Sequence, residues 1–139
     1  MGRPSGEFTR CDGEWTEAKF NSFIKNNLRS ATRKWAPIQR CKKKAHVGHG
    51  EYLCAECQRV VPPTVYDEEK RKRVKFIFVD HIIPIIEPTL GFTTWDDCIN
   101  RMFCDSDNLQ LLCGDCHKSK SQEEIDLHKA RRAKDKNND

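Results

Sequence analysis

A chain of 139 residues, one third of them charged and only 37% hydrophobic, has room for one domain with an extension and for a modest apolar core. It shows no apolar run ahead of a small-residue cleavage site and no stretch near the ~20 apolar residues of a membrane span, which argues against secretion and membrane insertion and for a reducing cytoplasm. The net charge of +4 is unevenly spread: nine Lys and Arg face two Glu between Glu14 and Gly50, whereas fourteen face seventeen acidic residues from Glu51 onward.

In chain order, residues 1–13 are rich in Gly, Pro and Ser and read as a loose tail. Thr16 with Glu17 behind it suits a helix N-cap. Phe20, Phe23, Ile24, Leu28, Ala31 and Trp35 then recur at helical spacing, with Pro37 as the stop. Lys25, Arg29 and Arg33 fall largely off that stripe, so the aromatic residues are core and the cations turn outward. Arg40 to Lys44, including Lys42, Lys43 and Lys44, carries the charge into a loop that ends at a Gly48-His49-Gly50 turn. Residues 14–50 thus read as a basic helix and loop suited to a polyanion, although a solvated basic helix without a partner would look the same.

Residues 51–133 read as the main domain. Two short strands flank Cys54 and Cys57 and end at Pro62-Pro63, and residues 67–73 form a charged, solvated bend. Residues 75–83 are a β-branched and aromatic strand bearing Asp80 and His81. After a loop marked by Pro84, Pro88 and Gly91, Thr94 and Asp97 announce a helix with Trp95, Ile99, Met102 and Phe103 on one face. Asn108 to Cys113 is a second strand. A helix starts near residues 114–116 and either continues past Ser121 or restarts there on the Ser121–Glu124 capping pattern, and residues 134–139 fray.

The cysteines are the densest chemical signal. Cys54-Ala-Glu-Cys57 and Cys113-Gly-Asp-Cys116 are two Cys-x-x-Cys knuckles, a spacing that lets four thiolates converge at ~2.3 Å on one Zn²⁺. The intervening residues are tolerable because loop closure costs only about 0.6 kcal/mol per doubling of length. The alternative for each pair is a redox dithiol. Cys98 and Cys104 read as buried free thiols. Cys41 with His46 and His49 could form part of a second metal site, and Cys11 carries no reading.

The series Asp80-His81-Ile82-Ile83-Pro84, then Asp107-Asn108-Leu109-Gln110-Leu111-Leu112-Cys113, then Cys116-His117-Lys118-Ser119-Lys120 closely resembles the HNH endonuclease signature, its three letters falling on His81, Asn108 and His117. The interleaved knuckles resemble the family's zinc-containing branch. The likeness spans residues 52–120, and a looser one links the chain to small nucleases of tailed bacteriophages. The resemblance implies an α+β fold: a ββα-metal core with a four-cysteine structural zinc site, preceded by the basic amphipathic helix.

It further implies hydrolysis of phosphodiester bonds in double-stranded DNA by a one-metal mechanism. His81 would be general base, an imidazole titrating near neutrality. Asp80 and His117 would ligate Mg²⁺ or Mn²⁺, with Ni²⁺ admitted in vitro, and Asn108 would hydrogen-bond across the strand-to-strand loop. Adjacent residues 80 and 81 of a strand point to opposite faces, which the family resolves by a twist at the strand end. The basic residues named above, with Lys118 and Lys120, become candidate phosphate contacts. Where relatives carry a further His or Asn after the last motif His, this chain has Ser121. The competing expectations are a zinc-ribbon DNA-binding module without cleavage and an accessory factor working with phage packaging or DNA-processing proteins.

Overall fold

The computed structural model describes residues 6–137 of the chain, which divides into two compact units, 1–34 and 35–139. The division falls at Lys34–Trp35, within the basic segment 14–50. In the first unit, β1 (Phe8–Arg10) pairs antiparallel with β2 (Trp15–Thr16), and α1 (Glu17–Ala31) follows at once. Thr16 caps α1 as expected, its Oγ1 accepting from the Lys19 amide at 3.2 Å. The loose tail is corrected from Phe8 onward. Arg10 donates from Nε and Nη2 to both carboxylate oxygens of Glu17 and lies 4.2 Å over the Phe20 ring, which ties the hairpin to the helix. Residues 1–5 lie outside the described residues.

In the second unit, Pro37 begins a helix, α2 (Ala36–Ala45), so Arg40 to Lys44 are helical rather than loop. Proline in a first helical turn sacrifices no hydrogen bond, because that N–H has no intrahelical partner. Cys41 and Ala45 face inward onto the core, leaving Lys42, Lys43 and Lys44 exposed in the last turn.

Three antiparallel strands come next: β3 (His46–Gly48), β4 (Glu51–Leu53) and β5 (Val60–Val61). The turn between β3 and β4 consists of His49 and Gly50, both at positive φ (52° and 70°), the backbone a two-residue hairpin requires. The charged segment expected to be a bend is the tip of another hairpin, β6 (Thr64–Asp67) with β7 (Lys72–Lys75). Its alternation is disguised because β7 exposes every residue but Val74 and β6 is half-buried at every residue but Tyr66; Asp67 Oδ1 accepts from the Lys70 amide to close the turn.

The centre of the unit is the antiparallel pair β8 (Ile77–His81) and β9 (Leu109–Cys113), registered from Ile77 opposite Cys113 to His81 opposite Leu109. Between them lie α3 (Trp95–Met102), capped by Thr94 Oγ1 on the Asp97 amide, and a short 3-10 turn, Ser106–Asn108. Cys98 and Met102 are the fully buried residues of α3, whereas Ile99 is 39% exposed, so the inward face is turned from the one the apolar pattern suggested.

Immediately after β9 comes α4 (Gly114–Asn137), one unbroken helix. Ser121 restarts nothing, and residues 134–137 are helical rather than frayed. Lys120–Glu124, Gln122–Asp126 and Arg131–Asp135, each four residues apart, sustain it. The buried cluster of Cys54, Val61, Ile77, Leu111, Leu112 and Cys113 joins the first knuckle to the β8–β9 pair. No helix among the described residues is long and apolar enough to cross a membrane.

Candidate metal centre and the strand–strand–helix frame

Two knuckles from distant parts of the chain meet because each is pinned to the β8–β9 pair. The Ala55 amide donates to the Leu111 carbonyl at 2.8 Å and the Gly114 amide to the Phe76 carbonyl at 2.8 Å. Gly114 is required there: a Cβ would stand 2.6 Å from the Phe76 ring. Within the first knuckle, the Cys54 amide donates to the Arg59 carbonyl, and Gln58 takes a left-handed φ of 61° to turn the chain.

The result brings Cys54, Cys57, Cys113 and Cys116 together, their four sulfurs all within 4.8 Å of one another. Cys57 and Cys113 are 3.9 Å apart, close to the roughly 3.8 Å that a tetrahedral site with ~2.3 Å metal–sulfur bonds implies. The set fits a metal ion such as zinc. Two thiols are already polarised in opposite senses. Hydrogen bonds from Arg59, side chain first and then backbone, bring Cys57 down to about 6, whereas burial, followed by the neighbouring sulfurs, pushes Cys116 up to about 12.

Arg59 went unnoticed in the sequence. Its Nε donates to Cys57 Sγ at 3.3 Å, and its Nη2 reaches Cys113 Sγ at 3.6 Å and Asp115 Oδ2 at 3.2 Å, so one guanidinium bridges both knuckles. Its place two residues past a cysteine gave no clue, because its partners in the second knuckle lie 54 and 56 residues further along the chain. The proposed Cys41–His46–His49 site is not assembled: among the described residues the four cysteines are the only metal-compatible group of three or more His, Cys, Asp and Glu. Cys41 packs against the core, where burial pushes its thiol up, and His46 packs edge-on against Tyr52. Cys98 is buried, Cys104 is partly buried with its thiol pushed up chiefly by burial, and Cys11 is exposed.

On the other edge of the frame, the Asn108 side chain holds the connection that leaves β8. Its Oδ1 accepts from the Ile83 amide at 2.8 Å, its Nδ2 donates to the Ile83 carbonyl at 3.2 Å, and its own carbonyl accepts from the Ile82 amide at 2.9 Å. The polypeptide that follows His81 is thereby fixed to the turn that enters β9.

Asp80 and His81 engage opposite sides, as strand alternation demands. The His81 Nε2 lies 2.9 Å from the Met102 carbonyl at the end of α3. A carbonyl only accepts, so Nε2 carries a proton. Asp80 Oδ2 instead faces α4, taking the Lys120 ammonium at 3.0 Å and Gln110 Nε2 at 3.2 Å. His117 lies flat on Phe78, ring centroids 4.2 Å apart at 7°.

Lys120, a candidate phosphate contact in the sequence, is engaged within this frame by Asp80. It is partly buried and also donates to the His81 carbonyl at 2.9 Å and to Glu124 at 2.5 Å. Burial lowers its pKa, but the hydrogen bonds and charges of Glu124 and Asp80 outweigh that and leave it raised. Gln110 and Glu124 were not anticipated. Glu124 was readable as an i,i+4 partner of Lys120, whereas Gln110 needed the register that sets it opposite Asp80. Of the other basic candidates, Lys118 is exposed on α4, Arg29 and Arg33 are exposed and Lys25 half-buried in the first unit.

Beside the frame lies a cleft of about 550 Å³, lined by Glu56, Gln110, Cys116, Lys120 and Glu123 among others. No family model, curated protein or solved structure matches the chain.

Proposed function

We propose that the protein is a DNA endonuclease of the HNH type, built on a four-cysteine zinc site. The observation that carries this reading is the setting of His81: an imidazole at a strand end, its Nε2 held against a backbone carbonyl, and the next turn of chain clamped by Asn108. That is what a general base needs. The second nitrogen of a histidine sets the tautomer and orientation of the first. In this reading Nδ1 takes a proton from the attacking water, and Asn108 keeps the base from drifting with its loop.

Asp80 and His117 would hold a divalent ion, Mg²⁺ or Mn²⁺, which when bound neutralises the phosphoryl oxygens and the leaving 3′ oxygen. The donor chemistry of the site fits such an ion. The carboxylate of Asp80, the carbonyl of His81 and Glu124 already surround one cationic centre, the Lys120 ammonium. Lys42, Lys43, Lys44 and Lys118 of the second unit and Lys25, Arg29 and Arg33 of the first would meet the DNA backbone. Phage origin and a cytoplasmic site of action belong to the same proposal.

A second reading, a zinc-ribbon DNA-binding module or packaging accessory without cleavage, is favoured by three features: Asp80 is ion-paired with Lys120, His117 is stacked on Phe78, and His81 engages α3 on the side of the strand opposite Asp80. A plasmid-nicking assay separates the two. The nuclease reading expects cleavage that EDTA stops, that Mg²⁺ or Mn²⁺ restores, and that His81→Ala abolishes with circular dichroism and zinc content unchanged. Nicking by His81→Ala at the wild-type rate would refute the role of His81. DNA binding with no cleavage under any metal would leave the binding module standing.

A further inference from the structure

Lys120 occupies an unusual position for a lysine on a surface helix. Its ammonium has three oxygen partners from three directions: Asp80 Oδ2 at 3.0 Å, the His81 main-chain carbonyl at 2.9 Å and Glu124. The side chains of Lys120 and Asp80 are only 23% and 14% exposed, so solvent screens the pair poorly. Hard oxygens from carboxylates and a carbonyl are the donor set that oxygen-seeking divalent cations take. An ammonium and such an ion cannot share the Asp80 carboxylate without strong repulsion, because both are positive and the site is partly desolvated.

The helix also supplies a place for the ammonium to go. Glu124 lies one turn beyond Lys120 on α4, and the lysine stem is long and flexible, so the ammonium can swing off Asp80 and His81 and remain paired. Gln110, the other partner of Asp80, is neutral and can stay in place.

We infer that Lys120 is a resident cation which a divalent metal displaces: the ammonium holds Asp80 in the metal-free protein and retires to Glu124 when the metal binds. This rests on the reading of Asp80 as a metal ligand and adds a regulatory element to it, a built-in competitor that sets the metal concentration at which the site loads. Lys120 is in this sense a positioning residue, acting on the reaction only through Asp80.

The test measures binding rather than cleavage, on full-length, zinc-loaded protein. Mn²⁺ affinity is read by electron paramagnetic resonance for the wild type, Lys120→Met and Lys120→Arg. Removing the competitor should tighten Mn²⁺ binding at least about fivefold, the lower end of ordinary coupling between two ligands, while Lys120→Arg stays near the wild type. An affinity in Lys120→Met that is unchanged or weaker, or no Mn²⁺ binding by either protein, overturns the inference.

Because Lys120→Met also unties α4 from β8 and can fail to fold, the wild type is followed independently by ¹⁵N-lysine NMR during Mg²⁺ titration. The Lys120 Nζ signal should shift, and its protons should exchange faster, as the site fills. A signal unmoved at saturating Mg²⁺ overturns the inference. Its failure is distinct from that of the nuclease proposal: metal-loaded protein that displaces Lys120 yet leaves plasmid intact refutes the nuclease alone.

Discussion

Single side chains here do their work by holding something other than themselves. Arg59 is the clearest case, since one guanidinium touches a sulfur of each knuckle and the carboxylate of Asp115. Replacing it with alanine should leave all four ligands in place but remove charge compensation from the thiolates. Zinc affinity should drop about tenfold or more, the usual cost of losing an outer partner of a metal site, and a chromophoric chelator would report it as faster zinc release. His128 gives a pH signature. Burial, then the charges of Arg131 and Arg132, hold its pKa below the ordinary 6.5, and its Nδ1 accepts from Arg131 at 2.9 Å. A histidine whose folded pKa is depressed binds its proton more readily when unfolded, so stability is intact above about pH 6.5 and declines as pH falls through that value. Denaturant midpoints measured between pH 7.5 and 5 should show this decline, and His128→Gln should flatten it. Equal slopes for both proteins would show that other groups govern that range.

At the scale of elements, α3 is a short helix with one consequential end. Its last residue, Met102, presents the carbonyl that orients His81, and Thr94 caps the other end. Thr94→Ala should cost about 1 kcal/mol of stability and, by loosening α3, broaden the orientation of His81; urea unfolding and the His81 ring signals in NMR check the two effects. The cap was legible because Thr-x-x-Asp is a local pattern. So was the cap of α1, and so was the β-branched and aromatic strand that contains residues 77–81. Two neighbouring segments were not. The α2 helix was hidden by Pro37, which marks a helix start as readily as a stop, and by a run of lysines that cover only its outer face. The β6–β7 hairpin was hidden because its sides carry little apolar contrast, so period-two patterning had nothing to show.

The whole molecule depends on a long-range closure. The first unit has no buried residue among those described, and the core of the second is a small cluster in which Cys54 and Cys113 are themselves buried members. An ion held by the four cysteines would therefore be tied to core formation. Zinc removal by a strong chelator, or Cys113→Ser, should abolish cooperative unfolding of the second unit, because a structural ion supplies folding free energy that is lost with it; a zinc-free protein with an undiminished, cooperative transition would contradict that. What the sequence by itself determined was chemistry that is local in the chain: two knuckles whose two-residue spacing lets each pair of sulfurs share a ligand, caps written in three or four residues, and a strand, strand, helix order that carries Asp80 and His81 on the first strand and His117 on the helix, with Asn108 in the turn just before the second strand. Only the tertiary structure decided what those groups face. It turned the His81 Nε2–H to the Met102 carbonyl, set Lys120 on Asp80 instead of in solvent, laid His117 on Phe78 and brought Arg59 over the sulfurs. The physical reason is that spacing constrains side chains on one turn or one strand, whereas a partner tens of residues away is chosen by register and packing, which no short pattern encodes.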